Sequence, residues 1–97
     1  MWKLISIEES PISGKKWRAN FYDKVNDKRK HTDFGASGME DYTMHQDDSR
    51  KDRYVKRHMK DLDTGDPTRA GYLSMYILWN KKSIKASIAD YKKRFSM

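Results

Sequence analysis

The sequence predicts an α+β domain in which a small three-stranded antiparallel meander is followed by three short helices. Three observations carry this. Residues 15–22 alternate apolar and polar with period two, which marks a half-buried strand. From about Asp48 the apolar residues recur with a helical period. Asp66-Pro67 and Ser83 are helix-start signals in the last third. The 97 residues suffice for one domain, divided as meander 1–34, ordered motif loop 35–47 and three-helix segment 48–97.

Trp2 to Ile7 reads as the first strand, rich in aromatic and β-branched residues. Ser10-Pro11-Ile12-Ser13-Gly14 is a turn. In the second strand, Trp17, Ala19 and Phe21 share one face, and Lys16, Arg18, Asn20 and Tyr22 the other. Asp23 to Asp27 is a polar turn. Lys28 to Phe34 forms the third strand, with Lys30, Thr32 and Phe34 on one side. A meander this small needs helices packed on one face. Gly35 to Gln46 reads as an irregular loop, with Gly35 and Gly38 free to take positive φ. Met39, Tyr42 and Met44 are expected to pin it to the core.

Asp48 or Ser49 can cap the first helix. Its stripe is Tyr54, Val55, His58, Met59 and Leu62, and its other faces carry Arg50, Lys51, Arg53, Lys56, Arg57 and Lys60. Thr68 to Trp79, opened by Asp66 and Pro67, is apolar nearly all round and is expected to be the buried central helix. Ser83 caps the last one, in which Ile84, Ile88, Tyr91 and Phe95 face the core. Lys85, Lys92, Lys93 and Arg94 lie outside, the last three suiting the negative end of the helix dipole.

Hydrophobic residues are 36% of the chain and charged residues another 36%, so the core is thin. Three Trp, six Tyr and three Phe thicken it. Twenty-one Lys and Arg against fourteen Asp and Glu give a net charge of +7, which favours acidic partners. Without cysteine there are no disulfides, thiolate chemistry or zinc ribbons, which fits a reducing compartment. The longest apolar stretch, Tyr72 to Trp79, is far too short for a membrane span. The Met1-Trp2-Lys3-Leu4 start lacks the charged and apolar regions of a signal peptide, so a secreted protein is not expected.

No pattern of reactive residues emerges. His31-x-Asp33 and His45-x-Asp47-Asp48 lack the convergent spacing of metal ligands. Asp61-x-Asp63-x-Gly65 fails as a calcium loop, with Gly65 at position five and Tyr72 where a bidentate Glu is required. There is no nucleophile elbow or phosphate loop. Glu8, Glu9, Lys15 and Lys16 do not make a nuclease constellation. The expectation is a non-enzymatic protein with no metal and no cofactor.

A binding surface is better supported. Lys16, Trp17, Arg18, Tyr22, Lys28, Arg29 and Lys30 lie on or beside the expected sheet, and Arg50, Arg53, Lys56 and Arg57 on the first helix. Basic residues interleaved with aromatics can hold phosphates and stack bases. A meander followed by a helix is also similar in outline to the sheet-reading DNA-binding domains of some integrases. Acidic residues border the basic ones throughout, however, from Asp23 and Asp27 to Asp47 and Asp48. Mixed charge with exposed aromatics suits a protein surface, where Trp, Tyr and Arg are common anchors.

The densest run is Lys30-His31-Thr32-Asp33-Phe34-Gly35-Ala36-Ser37-Gly38-Met39-Glu40-Asp41-Tyr42-Thr43-Met44-His45. Later come Leu73-Ser74, Tyr76-Ile77-Leu78-Trp79-Asn80-Lys81, Ser83-Ile84 and Asp90-Tyr91-Lys92-Lys93-Arg94-Phe95. Over roughly residues 15–95 this resembles a small, basic, uncharacterised protein family of the large DNA viruses of algae and amoebae, with a KHTDFGA-x-G-x-x-DYT-x-H core. The resemblance implies no chemistry. It implies a virion-associated or minor capsid-like adapter, acting in the particle or in the infected cell's cytoplasm or nucleus, with capsid or virion subunits as partners. Trp17, Arg18, Tyr22 and Arg29 are the first candidates for contact. In the motif, His31, Asp33, Phe34, Gly35, Asp41, Tyr42 and His45 are expected to build the loop. The competing expectation is a nucleic-acid-binding module using the sheet face and the helix around residues 50–60.

Overall fold

The computed structural model describes all residues, Met1–Met97. Three antiparallel strands, β1 (Trp2–Glu9), β2 (Lys15–Asp23) and β3 (Lys28–Ala36), form a sheet of order β1-β2-β3. Four helices follow: α1 (Tyr42–His45), α2 (Asp48–His58), α3 (Ala70–Leu73) and α4 (Ile84–Arg94). The expected α+β architecture, a meander and then helices, is the one observed.

Alternation along β2 is what gives the sheet two different faces. Ala19 and Phe21 are buried, opposite Ile7 and Leu4 of β1 and Thr32 and Lys30 of β3, while Trp17 pairs with Phe34. Leu4 and Ile7 are three residues apart and would point to opposite faces of a regular strand. A bulge between Leu4 and Ser6 inserts the exposed Ile5 and brings Ile7 back to the inner face. The Asp23 carboxylate organises the β2–β3 turn by accepting from the N–H groups of Val25 and Asn26. Strand β3 runs two residues beyond the expected end at Phe34, because β2 begins at Lys15 and its ladder continues to Ala36.

The core joins Leu4, Ala19, Phe21 and Phe34 of the sheet to Leu73, Ile77, Leu78 and Tyr91 of the helices. Burying each large side chain contributes about 1.5–3 kcal/mol. The α4 stripe is as expected: Tyr91 is fully buried, and Ile84, Ile88 and Phe95 pack beside it. Ser83 caps α4 by accepting from Ala86 N–H.

Several boundaries differ from expectation, each for a local reason. The motif loop contains a one-turn helix, α1, because the Asp41 carboxylate caps it through Thr43 N–H. Tyr42 pins this segment, but Met39 and Met44 are 64% and 60% exposed and do not. The cap of α2 is Asp47, one residue earlier than expected, since its carboxylate reaches Ser49 and Arg50 N–H. After His58 the chain tightens into a 3-10 segment, Met59–Thr64, closed by Gly65. Here α3 comes very close: a Cβ on Gly71 would stand 2.9 Å from Asp61 Cβ.

Asp66 and Pro67 do not open the central helix directly. Asp66 accepts from Thr68 N–H and Thr68 Oγ1, but helical winding begins at Ala70. The carbonyls that would feed a helix are already engaged: Thr32 Oγ1 donates to Thr68 O at 2.8 Å, and Tyr91 Oη to Pro67 O at 2.5 Å. These bonds tie the segment to β3 and α4. The expected continuous helix over 68–79 is instead α3 plus a wide π turn, Ser74–Leu78, with Trp79 N–H donating to Ser74 O at 3.1 Å. It remains the central apolar element, with Leu73, Met75, Ile77 and Leu78 buried.

Candidate interaction cleft

A cleft of about 370 Å³ opens between the end of β3 with its following segment, α2, and the π turn. On one wall, Asp47 starts α2 so that Arg50, Arg53 and Arg57 fall on one side of the helix at i, i+3 and i+7, beside Tyr54 and His58. The π turn delivers Leu78 and Trp79 to the floor. Gly35, Ala36, Met39, Glu40 and Asp41 of the motif complete the opposite wall.

The floor is a stack of rings. Tyr54 lies parallel to Trp79, 4.2 Å between centroids and 3° between planes, and its other face meets His58 at 4.1 Å. His45 approaches Trp79 at 5.2 Å with a 55° tilt. Burial pushes the Tyr54 hydroxyl pKa up. His45 Nδ1 accepts from Asp47 N–H, which fixes the ring, and its buried Nε2 has no hydrogen-bond partner.

Four cations line the cleft, and they are not equivalent. Lys16 Nζ donates to Asp41 Oδ2 at 2.6 Å, with both side chains largely buried. Arg50 Nη1 meets Glu40 Oε2 at 3.2 Å in a half-exposed pair. Arg53 and Arg57 are exposed and form no ion pair. The cleft therefore holds two compensated cations and two free guanidiniums.

The other expected contact residues do not share one surface. Trp17 and Lys30 belong to the inner face: Trp17 packs against the core, and Lys30 Nζ sits 4.7 Å from the Trp2 ring centroid. Arg18 and Tyr22 lie on the open face, so the expected grouping of Trp17 with Arg18, Tyr22 and Arg29 is split across the sheet by strand alternation. Arg18 is engaged by Asp33 at 3.0 Å, and Tyr22 Oη donates to Asp27 at 2.8 Å beneath the Arg29 guanidinium. Lys28 is exposed at the strand end opposite Asp23, and Lys56 is exposed on α2 away from the cleft lining.

Most motif residues make structural contacts. Phe34 is fully buried and Gly35 takes φ 80°. Asp33 accepts from Arg18 and from Ser10 Oγ, and the guanidinium, followed by the hydroxyl, holds its carboxyl below the usual carboxylate range. Tyr42 Oη donates to Asp48 at 2.5 Å, which raises its pKa. His31 is exposed on the open face, opposite Asn20.

From the sequence, Tyr54 and Trp79 read as core packing and His58 as the edge of the helical stripe, not as a site. The i, i+4 spacing of Tyr54 and His58 beside three arginines was the available signal. Trp79 arrives from a distant segment and could not be paired with them in advance.

Over residues 5–58, more than half its length, the chain matches DUF5754, a family of unknown function. It belongs to that family. The DUF5754 match takes in the whole motif and all of α2, and so both walls of the cleft apart from the π turn. No curated protein and no solved structure matches the chain significantly. No helix is long and apolar enough to cross a membrane.

Proposed function

We propose that the protein is a non-enzymatic interaction module, an adapter that binds a larger acidic protein subunit through its basic, aromatic-rich surface. The observation that carries this is the distribution of unpaired charge. On the open sheet face Arg18 is neutralised by Asp33, and Asn20 is tied to Ser6 and Glu8. On α2, Arg53 and Arg57 have no acidic partner and stand beside a large aromatic cluster, while Lys56, also unpaired, lies away from it. Guanidiniums next to aromatic surface are the groups that most often anchor protein interfaces. The resemblance to a family of large DNA viruses supports a viral setting, with capsid or virion subunits as partners and the particle or the infected cell's cytoplasm or nucleus as the place of action.

A second reading, nucleic-acid binding, draws on the exposed Lys24, Lys28, Arg29 and His31 around the β2–β3 turn and on the same α2 cations. Salt separates the two. Binding to labelled double- and single-stranded DNA is measured from low to physiological salt. Phosphate contacts would make log affinity fall by about one unit per log unit of salt for each contact. The adapter reading predicts only weak DNA binding that disappears at physiological salt. Sub-micromolar binding that persists there with a steep slope would replace it with the nucleic-acid reading.

A further inference from the structure

We infer that the cleft between the β3–α1 segment and α2 is a docking pocket for a short acidic segment of a partner protein, whose carboxylates meet Arg53 and Arg57 while an apolar side chain between them enters the cleft. This rests on the interaction-module reading and deepens it by naming the site and the chemistry of the partner.

Charge complementarity fixes the sign. Lys16 and Arg50 already have carboxylate partners, whereas Arg53 and Arg57 are exposed and unpaired on one side of α2. The guanidinium fork matches a carboxylate with two parallel hydrogen bonds. Below them, Leu78 is 2% exposed and forms an apolar floor with the edges of Tyr54 and Trp79. The volume of about 370 Å³ accepts one large side chain with its flanking backbone. Met39, 64% exposed, belongs to the lining, and Met44, outside it, places its Sδ 3.4 Å from the Nζ of the lining Lys16. Exposed methionines are adaptable apolar contacts suited to peptide side chains.

One feature argues against nucleic acid in this pocket. Base stacking needs a bare ring face. Tyr54 is covered on both faces, by Trp79 and His58, and Trp79 lies between Tyr54 and His45.

The test is selection from a displayed library of randomised short peptides against the intact protein at physiological salt. The expected result is enrichment of sequences with acidic residues flanking a large apolar one. A labelled peptide from that set should bind R53E/R57E about tenfold or more weakly than the wild type, and its apolar-to-Ala version should lose a similar factor. Both arginines are exposed and unpaired, so the double variant is expected to keep the wild-type circular dichroism and melting temperature. Acidic peptides that bind R53E/R57E as tightly as the wild type would overturn the pocket and leave the acidic-partner reading standing. No acidic enrichment would overturn both. An oligo-dT strand that displaces the peptide and loses its own binding in R53E/R57E would assign the cleft to nucleic acid.

Discussion

Gly35 sits where the meander hands the chain to the helices, with φ at 80° and a Leu78 methyl 2.8 Å from where its Cβ would be. Gly35→Ala combines a left-handed backbone with a clash against a buried leucine, and should cost about 1–3 kcal/mol of stability, read as a lower urea midpoint. An unchanged midpoint would contradict the packing described. Asp41 carries two duties at 4% side-chain exposure, capping α1 and compensating Lys16. Asp41→Ala removes both and leaves Lys16 buried without a partner, a loss of about 2–4 kcal/mol by the same assay. The positive φ of Gly35 was legible in the sequence. The Lys16–Asp41 pair was not, because it spans 25 positions and nothing local marks it.

Strands are the elements that local sequence specifies best here. Alternation in β2 is strict, and register against both neighbours follows from putting Ala19 and Phe21 inside. The same alternation placed Trp17 inside, yet Trp17 was also expected beside Arg18 on a contact surface, and a strand cannot present adjacent side chains on one face. The 3-10 segment and the late start of α3 were not legible because long-range contacts accompany them, through the Pro67 and Thr68 carbonyls, the Tyr72 bond to Leu62 O and the Gly71–Asp61 approach, and nothing local marks the π turn. The basic wall of the cleft could be read from α2 alone. Its floor could not, since Tyr54 and Trp79 come from separate elements. Tyr54→Ala should therefore leave the sheet intact while freeing Trp79. The expected outcome is loss of near-ultraviolet circular dichroism from the aromatic stack with little far-ultraviolet change, and an unchanged near-ultraviolet spectrum would contradict the stack.

Across the molecule, four carboxylates are held below their ordinary range by hydrogen bonds and nearby cations. Asn26 acts on Asp23, Arg18 on Asp33, Thr68 on Asp66 and Asn80 on Asp90. A depressed folded-state pKa means the unfolded chain binds protons first as pH falls. Stability from these groups is fully present above about pH 4 and is lost as pH drops through the folded-state values. Thermal midpoints should hold level from pH 7 to about pH 5 and fall steeply below pH 4. The net charge of +7 adds self-repulsion in the same direction as the carboxylates neutralise. A midpoint that rose on acidification would contradict this arrangement of ion pairs.

On this reading, partners are bound at the cleft and not at the open sheet. The most direct measurement is a two-dimensional amide NMR titration of the labelled protein with a glutamate-rich peptide carrying one phenylalanine. Three indole N–H signals, from Trp2, Trp17 and Trp79, report separate regions. The Trp79 indole and the amides of Gly35, Ala36, Arg53 and Arg57 should shift together and saturate, while Asn20, Tyr22, Arg29 and His31 stay in place. Shifts confined to those four sheet residues, with Trp79 unmoved, would contradict this reading.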